Sequence, residues 1–145
     1  GCPRIFTSRA AGLDTREGVF MSLVFRILSI GVVLFFGMMG VRWITDPAAT
    51  AEALGMSLLT GLAASTQIGD IGAFFVAGAL FAGWGQLAGR SVWLRAAALM
   101  IGLAAVMRTL AWALGHADFA RDAVVGELVF VVVLLTSARL RSGEA

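Results

Sequence analysis

The sequence predicts an all-α integral membrane protein: a four-helix up-and-down bundle with a short interfacial helix between spans 1 and 2. The first observation is composition, because 59% of the 145 residues are hydrophobic and 14% are charged. A soluble domain is about 45–50% apolar and about 25% charged, so this chain has too few polar residues to cover a soluble core. The second observation is four long apolar runs, and the third is that arginines lie between them.

Residues 1–20, GCPRIFTSRAAGLDTREGVF, form a polar tail that contains arginines and shows no clear period. The apolar run MSLVFRILSIGVVLFF follows directly, so translation is expected to begin at Met21. Three origins of the tail are open: a native cytoplasmic extension, an upstream start or a cloning remnant. We expect it to be dispensable, and we expect residues 21–141 to form a single four-span transmembrane domain.

The four predicted spans are residues 19–44, 67–88, 92–114 and 123–138. A membrane-spanning helix needs about 20 residues, which the first three runs provide. The fourth run is shorter and rich in valine, a composition typical of a strand in water. In hydrocarbon an isolated strand leaves its backbone groups unpaired, so a helix is predicted there as well.

The segment TDPAATAEALG, which follows the first span, predicts the short interfacial helix at residues 47–54. Asp46 is a good N-cap, and Pro47 suits the first helical turn because its missing N–H has no partner there anyway. Gly55 can end the helix, since glycine adopts the left-handed conformation found after many helices.

The distribution of arginine predicts the orientation in the membrane. All eleven basic residues are arginine, which is typical of a GC-rich genome. One side of a four-span chain carries most of them: Arg4, Arg9, Arg16, Arg26, Arg90, Arg95, Arg139 and Arg141. The other side carries only Arg42 and Arg121, accompanied by acids. Because cytoplasmic loops have an excess of positive charge, both termini are predicted to be cytoplasmic, in a multi-pass protein of the bacterial inner (plasma) membrane.

Small residues in the second span predict a helix-packing face. Gly69, Ala73 and Ala77 recur at every fourth position, and Gly85 and Gly89 repeat that spacing. Faces of this kind let membrane helices approach closely. We favour packing within the chain over a contact between two copies.

Four charged residues predict an intramembrane polar cluster. Arg108 lies in the apolar stretch LAAVMRTLAWALGH, and a charge at the centre of a span costs about 2.5–3.5 kcal/mol. Asp70, Glu127 and Arg42 lie at a similar depth in the other three spans. An arginine that faces the bundle can pair with carboxylates, so we expect Arg108 to contact Glu127, Asp70 or both.

Two interpretations of this cluster are open. The structural one is a set of ion pairs that fixes the register of the helices. The functional one is a polar pocket that opens outward for a proton, an ion or a small ligand, because intramembrane ionisable residues are functional-site candidates. Gln67 and Thr66, with Ser65, are candidates for lining such a pocket and equally for capping the second span.

No catalytic motif is present: the sequence has no HExxH, no GxSxG and no GxGxxG in a βαβ setting. Cys2 and His116 are the only cysteine and histidine, which excludes an internal disulfide and a His-based metal site. No cofactor is expected. The arginines are not gathered on one solvated face, which argues against nucleic acid as a partner. The expected partners are the lipid bilayer and, as an open alternative, other membrane subunits.

Four stretches together resemble the DUF4345 family, a group of small bacterial four-helix membrane proteins without an assigned function. They are DPAATAEALG, GDIGAFFVAG, MRTLAWAL and GELVFVVVLL, one from each successive part of residues 21–140. The resemblance implies the same topology and a shared triad of Asp70, Arg108 and Glu127. This chain has Gly72 where members often carry an arginine. A looser similarity to DoxX-type four-helix proteins concerns architecture alone.

These features predict a small membrane protein without a catalytic motif that acts as a structural or accessory protein or as a subunit of a larger membrane complex. The alternative is a small transporter or ligand-binding membrane protein that uses the outward-facing Arg/Asp/Glu cluster. An integral membrane enzyme is a third interpretation, and the missing catalytic motifs argue against it.

Overall fold

The computed structural model of the protein describes residues 6–142, and the side chains of residues 16–141. Within this range the chain is all-helical and contains no strand. The five helices are α1 (Phe6–Thr45), α2 (Pro47–Ala53), α3 (Gly61–Leu87), α4 (Ser91–Ala113) and α5 (Arg121–Ser142). Four segments are long and apolar enough to cross a membrane: Arg16–Thr45, Gly61–Leu87, Ser91–Ala113 and Arg121–Arg141. The predicted fold class is therefore confirmed.

Helix α3 begins at Gly61, six residues before the predicted start at Gln67. Ser65 and Thr66 were candidates for capping the second span, because a hydroxyl oxygen can accept a hydrogen bond from the N–H groups at a helix start. In the structure the Thr66 hydroxyl donates to the carbonyl of Leu62, at 3.3 Å within the same helix. Its polar group is satisfied by the preceding turn, so the helix continues through it.

Helix α1 begins at Phe6, so that residues 6–20 of the predicted tail are continuous with the first span. The dispensability of the tail stays a prediction. The short helix α2 is confirmed, with Asp46 as its N-cap: the carboxylate accepts a hydrogen bond from the N–H of Ala49 at 3.2 Å. Gly55 follows it with a φ of +72°, a conformation that favours glycine.

The four long helices form a ring, in which α1 and α4 each pack against both α3 and α5. We call the end that carries α2 the α2 end, and the end that carries the short α3–α4 link, residues 88–90, the hairpin end. The core runs the length of the bundle. Its buried apolar residues include Val32, Phe36 and Trp43 of α1, Leu94, Ala98 and Ile101 of α4, and Leu134 and Ala138 of α5.

Close helix contacts involve glycines of α3. A Cβ added at Gly78 would lie 2.4 Å from Cδ1 of Phe36, and one added at Gly85 would lie 2.8 Å from Cγ of Leu94. Both glycines are buried, together with Gly72 and Ala82. Large side chains of α1 and α4 therefore fill the space that the missing side chains of α3 leave.

The structure places the predicted small-residue face in three different settings. Gly69 and Ala73 are exposed and Ala77 is half-buried. Ala73 and Ala77 each lie one position away from a buried glycine, Gly72 and Gly78, and one step turns a helix by about 100°. Gly85 is part of the packed face, whereas Gly89 has a φ of +65° in the α3–α4 link. Packing of a second copy against Gly69 and Ala73 stays a prediction.

Candidate functional site

A cavity of about 460 Å³ lies between the helices near the α2 end. All four long helices contribute to it, and the segment that joins α2 to α3 adds two apolar side chains. Its lining consists of Phe35, Phe36, Leu54, Met56, Asp70, Ile71, Phe74, Phe75, Ala104, Arg108, Asp122, Ala123, Gly126, Glu127 and Phe130. The cavity thus combines apolar walls with four charged residues.

Arg108 of α4 and Glu127 of α5 form an ion pair in the wall of this cavity. The Nε of Arg108 donates to Oε1 of Glu127 at 2.9 Å. The two partners differ in exposure: the arginine side chain is 47% exposed, whereas that of the glutamate is 12% exposed. The second glutamate oxygen, Oε2, is buried and accepts no hydrogen bond from the residues that the structure describes. Glu127 therefore has unused acceptor capacity at the cavity.

Asp70 of α3 lines the same cavity and is exposed. Its carboxylate makes no hydrogen bond or ion pair within residues 16–141. Asp122 is a further acidic residue of the lining that the predicted cluster did not include. It belongs to the first turn of α5, where the partial positive charge of the helix N-terminus favours an acid.

The structure separates Arg42 from this cavity. Arg42 lies in the last turn of α1 and is not among the lining residues. Phe35 is the residue of the same helix stripe that lines the cavity, and Arg42 lies seven residues, or about 10 Å, further along the axis. A cation at this position suits the negative end of the helix dipole.

Five phenylalanines form an aromatic wall of the cavity: Phe35, Phe36, Phe74, Phe75 and Phe130. Their rings are in mutual contact, with centroid separations of 5.3 Å for Phe36 and Phe75 and 5.4 Å for Phe35 and Phe130. Sequence analysis did not identify this wall. The sequence features that could have predicted it are the Phe–Phe pairs in α1 and α3, together with Phe130, three residues after Glu127.

Gln67 and Thr66, the predicted pocket residues, do not line the cavity. The Gln67 side chain instead fixes the α2–α3 segment: its Oε1 accepts from the N–H of Leu59 at 2.9 Å, and its Nε2 donates to the carbonyl of Ser57 at 3.2 Å. Leu54 and Met56, which precede the bonded residues Ser57 and Leu59, line the cavity. Gln67 therefore contributes to the site by fixing the segment that supplies these two side chains.

The carboxylates around the cavity are not arranged as a metal site. Among the described residues no group of three His, Cys, Asp or Glu side chains is placed to hold a metal ion. Asp70 comes from α3, whereas Asp122 and Glu127 come from α5. The site is therefore a mixed aromatic and charged cavity.

Compared with known protein families, with curated proteins and with solved structures, the chain gives no match.

Proposed function

We propose that this multi-pass membrane protein binds a small, mostly apolar molecule with one polar end in the cavity at the α2 end. The observation that carries the proposal is the cavity itself, which has aromatic walls and a charged cluster. Small-molecule sites are typically about 300–1,000 Å³, mostly apolar and oriented by a few polar groups. The volume of about 460 Å³ and the lining both fit this description.

The main competing function is structural, with the Arg108–Glu127 pair serving only to fix α4 against α5. Such a role requires the ion pair but does not require an adjacent space. Protein interiors are closely packed and contain few voids larger than a water molecule. An accessory or structural role therefore predicts that the cavity can be filled without consequence, whereas a ligand site does not tolerate filling.

Filling the cavity at Gly126 tests the proposal. Gly126 lines the cavity, and a Cβ added there meets nothing within 4 Å, so Gly126→Leu occupies the space without a clash at its first atom. Gly31 is the matched control, because it is an exposed helical glycine outside the cavity whose added Cβ also meets nothing within 4 Å. Gly31→Leu therefore repeats the substitution on the outer face of the bundle.

The measurement is equilibrium dialysis of phenylbutanol, a neutral aromatic probe, against lipid nanodiscs with and without the protein. We expect saturable binding above that of empty nanodiscs, and a loss of at least about tenfold, or 1.4 kcal/mol, in Gly126→Leu but not in Gly31→Leu. Equal binding by the wild type and Gly126→Leu, or by loaded and empty nanodiscs, would contradict a ligand site.

We further propose the orientation expected from the arginines, with both termini on the cytoplasmic side of a bacterial inner membrane and the α2 end outside. The supporting observation is that Arg90 and Arg95 lie at or beside the α3–α4 link, while Arg139 and Arg141 lie in the last turn of α5 at the same end. Membership of the DUF4345 family is consistent with this arrangement and stays a prediction.

Cysteine labelling tests the orientation. Ala53 and Ala88 are exposed at opposite ends of the bundle. In a background without Cys2, a membrane-impermeant maleimide should label Ala53→Cys in intact cells and Ala88→Cys only after lysis. The reverse pattern would invert the orientation, and labelling of both in intact cells would contradict an odd number of spans between them.

A further inference from the structure

We infer that the molecule bound in this cavity is an organic cation, an ammonium or amidinium group attached to an apolar and partly aromatic body. This inference rests on the proposed function and adds the charge of the ligand to it. Three independent properties of the cavity support it: its formal charge, its aromatic wall and the position of its carboxylates.

The first property is charge. Asp70, Asp122 and Glu127 contribute three negative charges to the lining, and Arg108 contributes one positive charge, so the formal sum is −2. Arg108 already directs its Nε to Glu127, which leaves two carboxylates without a cationic partner within residues 16–141. Clefts lined by one sign of charge concentrate ligands of the opposite sign, most strongly when their walls are apolar. A bound cation would therefore neutralise part of the net negative charge of the lining.

The second property is the aromatic wall. A cation is attracted to the face of an aromatic ring within about 6 Å of its centroid, and sites for quaternary ammonium ligands use this interaction. Phe35, Phe74 and Phe130 belong to the lining, as do the carboxylates. The apolar body of an amphiphile packs against the same rings, so one wall serves both parts of the ligand.

The third property is the arrangement of the carboxylates. Because no metal-ligand group exists among the described residues, the three acids do not converge on a single small ion. They instead come from different parts of the lining, Asp70 from α3 and Asp122 and Glu127 from different turns of α5. The buried Oε2 of Glu127 accepts no hydrogen bond from the described residues. A cation with several N–H donors is suited to acceptors that are distributed in this way.

A matched series of probes tests the charge of the ligand. Phenylbutylamine, phenylbutanol and phenylbutyrate share an aromatic ring and chain and differ only in the terminal group. Dialysis against nanodiscs of zwitterionic lipid, corrected for empty nanodiscs, should give an affinity for the amine at least about tenfold above that for the alcohol. The carboxylate should bind most weakly of the three.

Asp70→Asn identifies the source of the preference. It removes one charge from the lining without breaking any hydrogen bond among residues 16–141. We expect it to reduce the affinity for the amine severalfold more than the affinity for the alcohol. The matched control is Asp118→Asn, which removes an exposed charge in the α4–α5 link outside the cavity and should leave the preference intact.

The possible outcomes separate this inference from the proposed function. If the alcohol or the carboxylate binds as tightly as the amine, and Gly126→Leu abolishes that binding, the cavity is a ligand site but the cationic ligand is wrong. If equal losses follow Asp70→Asn and Asp118→Asn, the preference comes from the general charge of the α2 end and the inference is also overturned. If no probe binds above empty nanodiscs, both the inference and the proposed function fail.

Discussion

The two halves of the bundle differ in what their polar side chains contact. At the hairpin end, the hydroxyls of Ser29 and Ser137 lie 2.6 Å apart, and each lies 2.8 Å from the carbonyl oxygen of Phe25. At the α2 end, by contrast, Glu127 has a buried oxygen without a donor among the described residues, and Asp70 lines a cavity without a partner in the same range. Hydroxyls in the hairpin half join α1 to α5, whereas the α2 half has, besides its Arg108–Glu127 pair, carboxylate oxygens that stay available at a cavity.

Packing differs in the same direction. Leu94, Ala97, Leu134 and Ala138, at the hairpin end, are fully buried. The Arg141 guanidinium there donates to the carbonyls of Gly85 and Gln86 at 3.4 Å, and to the Gln86 side chain, which connects the end of α5 to the end of α3. The hairpin end is therefore closed by buried side chains and hydrogen bonds between helices, whereas the α2 end contains the cavity.

The largest effect is expected from a pair of glycine substitutions, one in each half. In Gly85→Ala the new Cβ lies 2.8 Å from Cγ and 3.0 Å from the backbone N of Leu94, so the helices must shift. Overpacking of this kind costs about 1–3 kcal/mol. In Gly126→Ala the Cβ enters open space, and the helix gains about 0.5–1 kcal/mol.

Thermal unfolding in detergent measures this difference, with a lower Tm for Gly85→Ala and a Tm at or above the wild type for Gly126→Ala. Equal destabilisation by both substitutions would show that Gly126 has no more free space around it than Gly85. Opposite signs would confirm that the contact at Gly85 is tight and that the space at Gly126 is open.

A smaller effect is expected from the Arg108–Glu127 pair. Arg108→Ala leaves a mostly buried carboxylate unpaired and should cost about 1–3 kcal/mol. Glu127→Ala should cost less, because the half-exposed guanidinium can be solvated. Because the orphaned charge is removed as well, the double variant should be less harmful than the sum of the singles. Arg26→Ala, at an exposed position, is the control.

Two further variants sharpen this measurement. Asp70→Ala should combine with Arg108→Ala more nearly additively than Glu127→Ala does, since no hydrogen bond or ion pair joins Asp70 to Arg108 within the described range. The Ser29→Ala and Ser137→Ala pair supplies the corresponding cycle at the hairpin end, with a coupling of about 0.6 kcal/mol, the average for hydrogen bonds between membrane helices. If the measured coupling energy between Asp70 and Arg108 exceeded that between Glu127 and Arg108, the ion pair would involve Asp70 and not Glu127.

The fold was accessible from the sequence because hydrocarbon leaves few alternatives. A long apolar run must satisfy its backbone internally, so the length of each run predicts a helix. The first residue of α3 was harder to predict. In the sequence, a threonine that donates to the preceding helical turn cannot be told from one that caps a helix. The two ends of α2 were predictable because each is set by single residues: Asp46 and Pro47 at its start and Gly55 after its end.

The charged part of the site was partly accessible, because depth along a span restricts which side chains can meet. Depth placed Arg108 beside Glu127 and Asp70 near the same level. Depth can be read from the sequence only to within about one or two helical turns, and this is why Arg42, about 10 Å beyond Phe35 along the axis, was grouped with residues that it does not join. Depth also does not say how far each helix is rotated. The aromatic wall also depends on rotation, since phenylalanine is equally suited to a lipid-facing surface and to a cavity.

The burial of Trp43 gives the α2 half an optical reporter of its own. Its indole is 0% exposed and lies against Gly72, whereas Trp84 and Trp112 are 59% and 51% exposed. The indole nitrogen is buried and has no acceptor among the described residues. Quenchers carried on lipid tails therefore reach the fluorescence of Trp84 and Trp112 before that of Trp43. Trp93 at the hairpin end is half-buried, so Trp93→Phe removes the other protected emitter. The remaining emission of that variant reports whether water or a bound molecule has changed the polarity inside the α2 half.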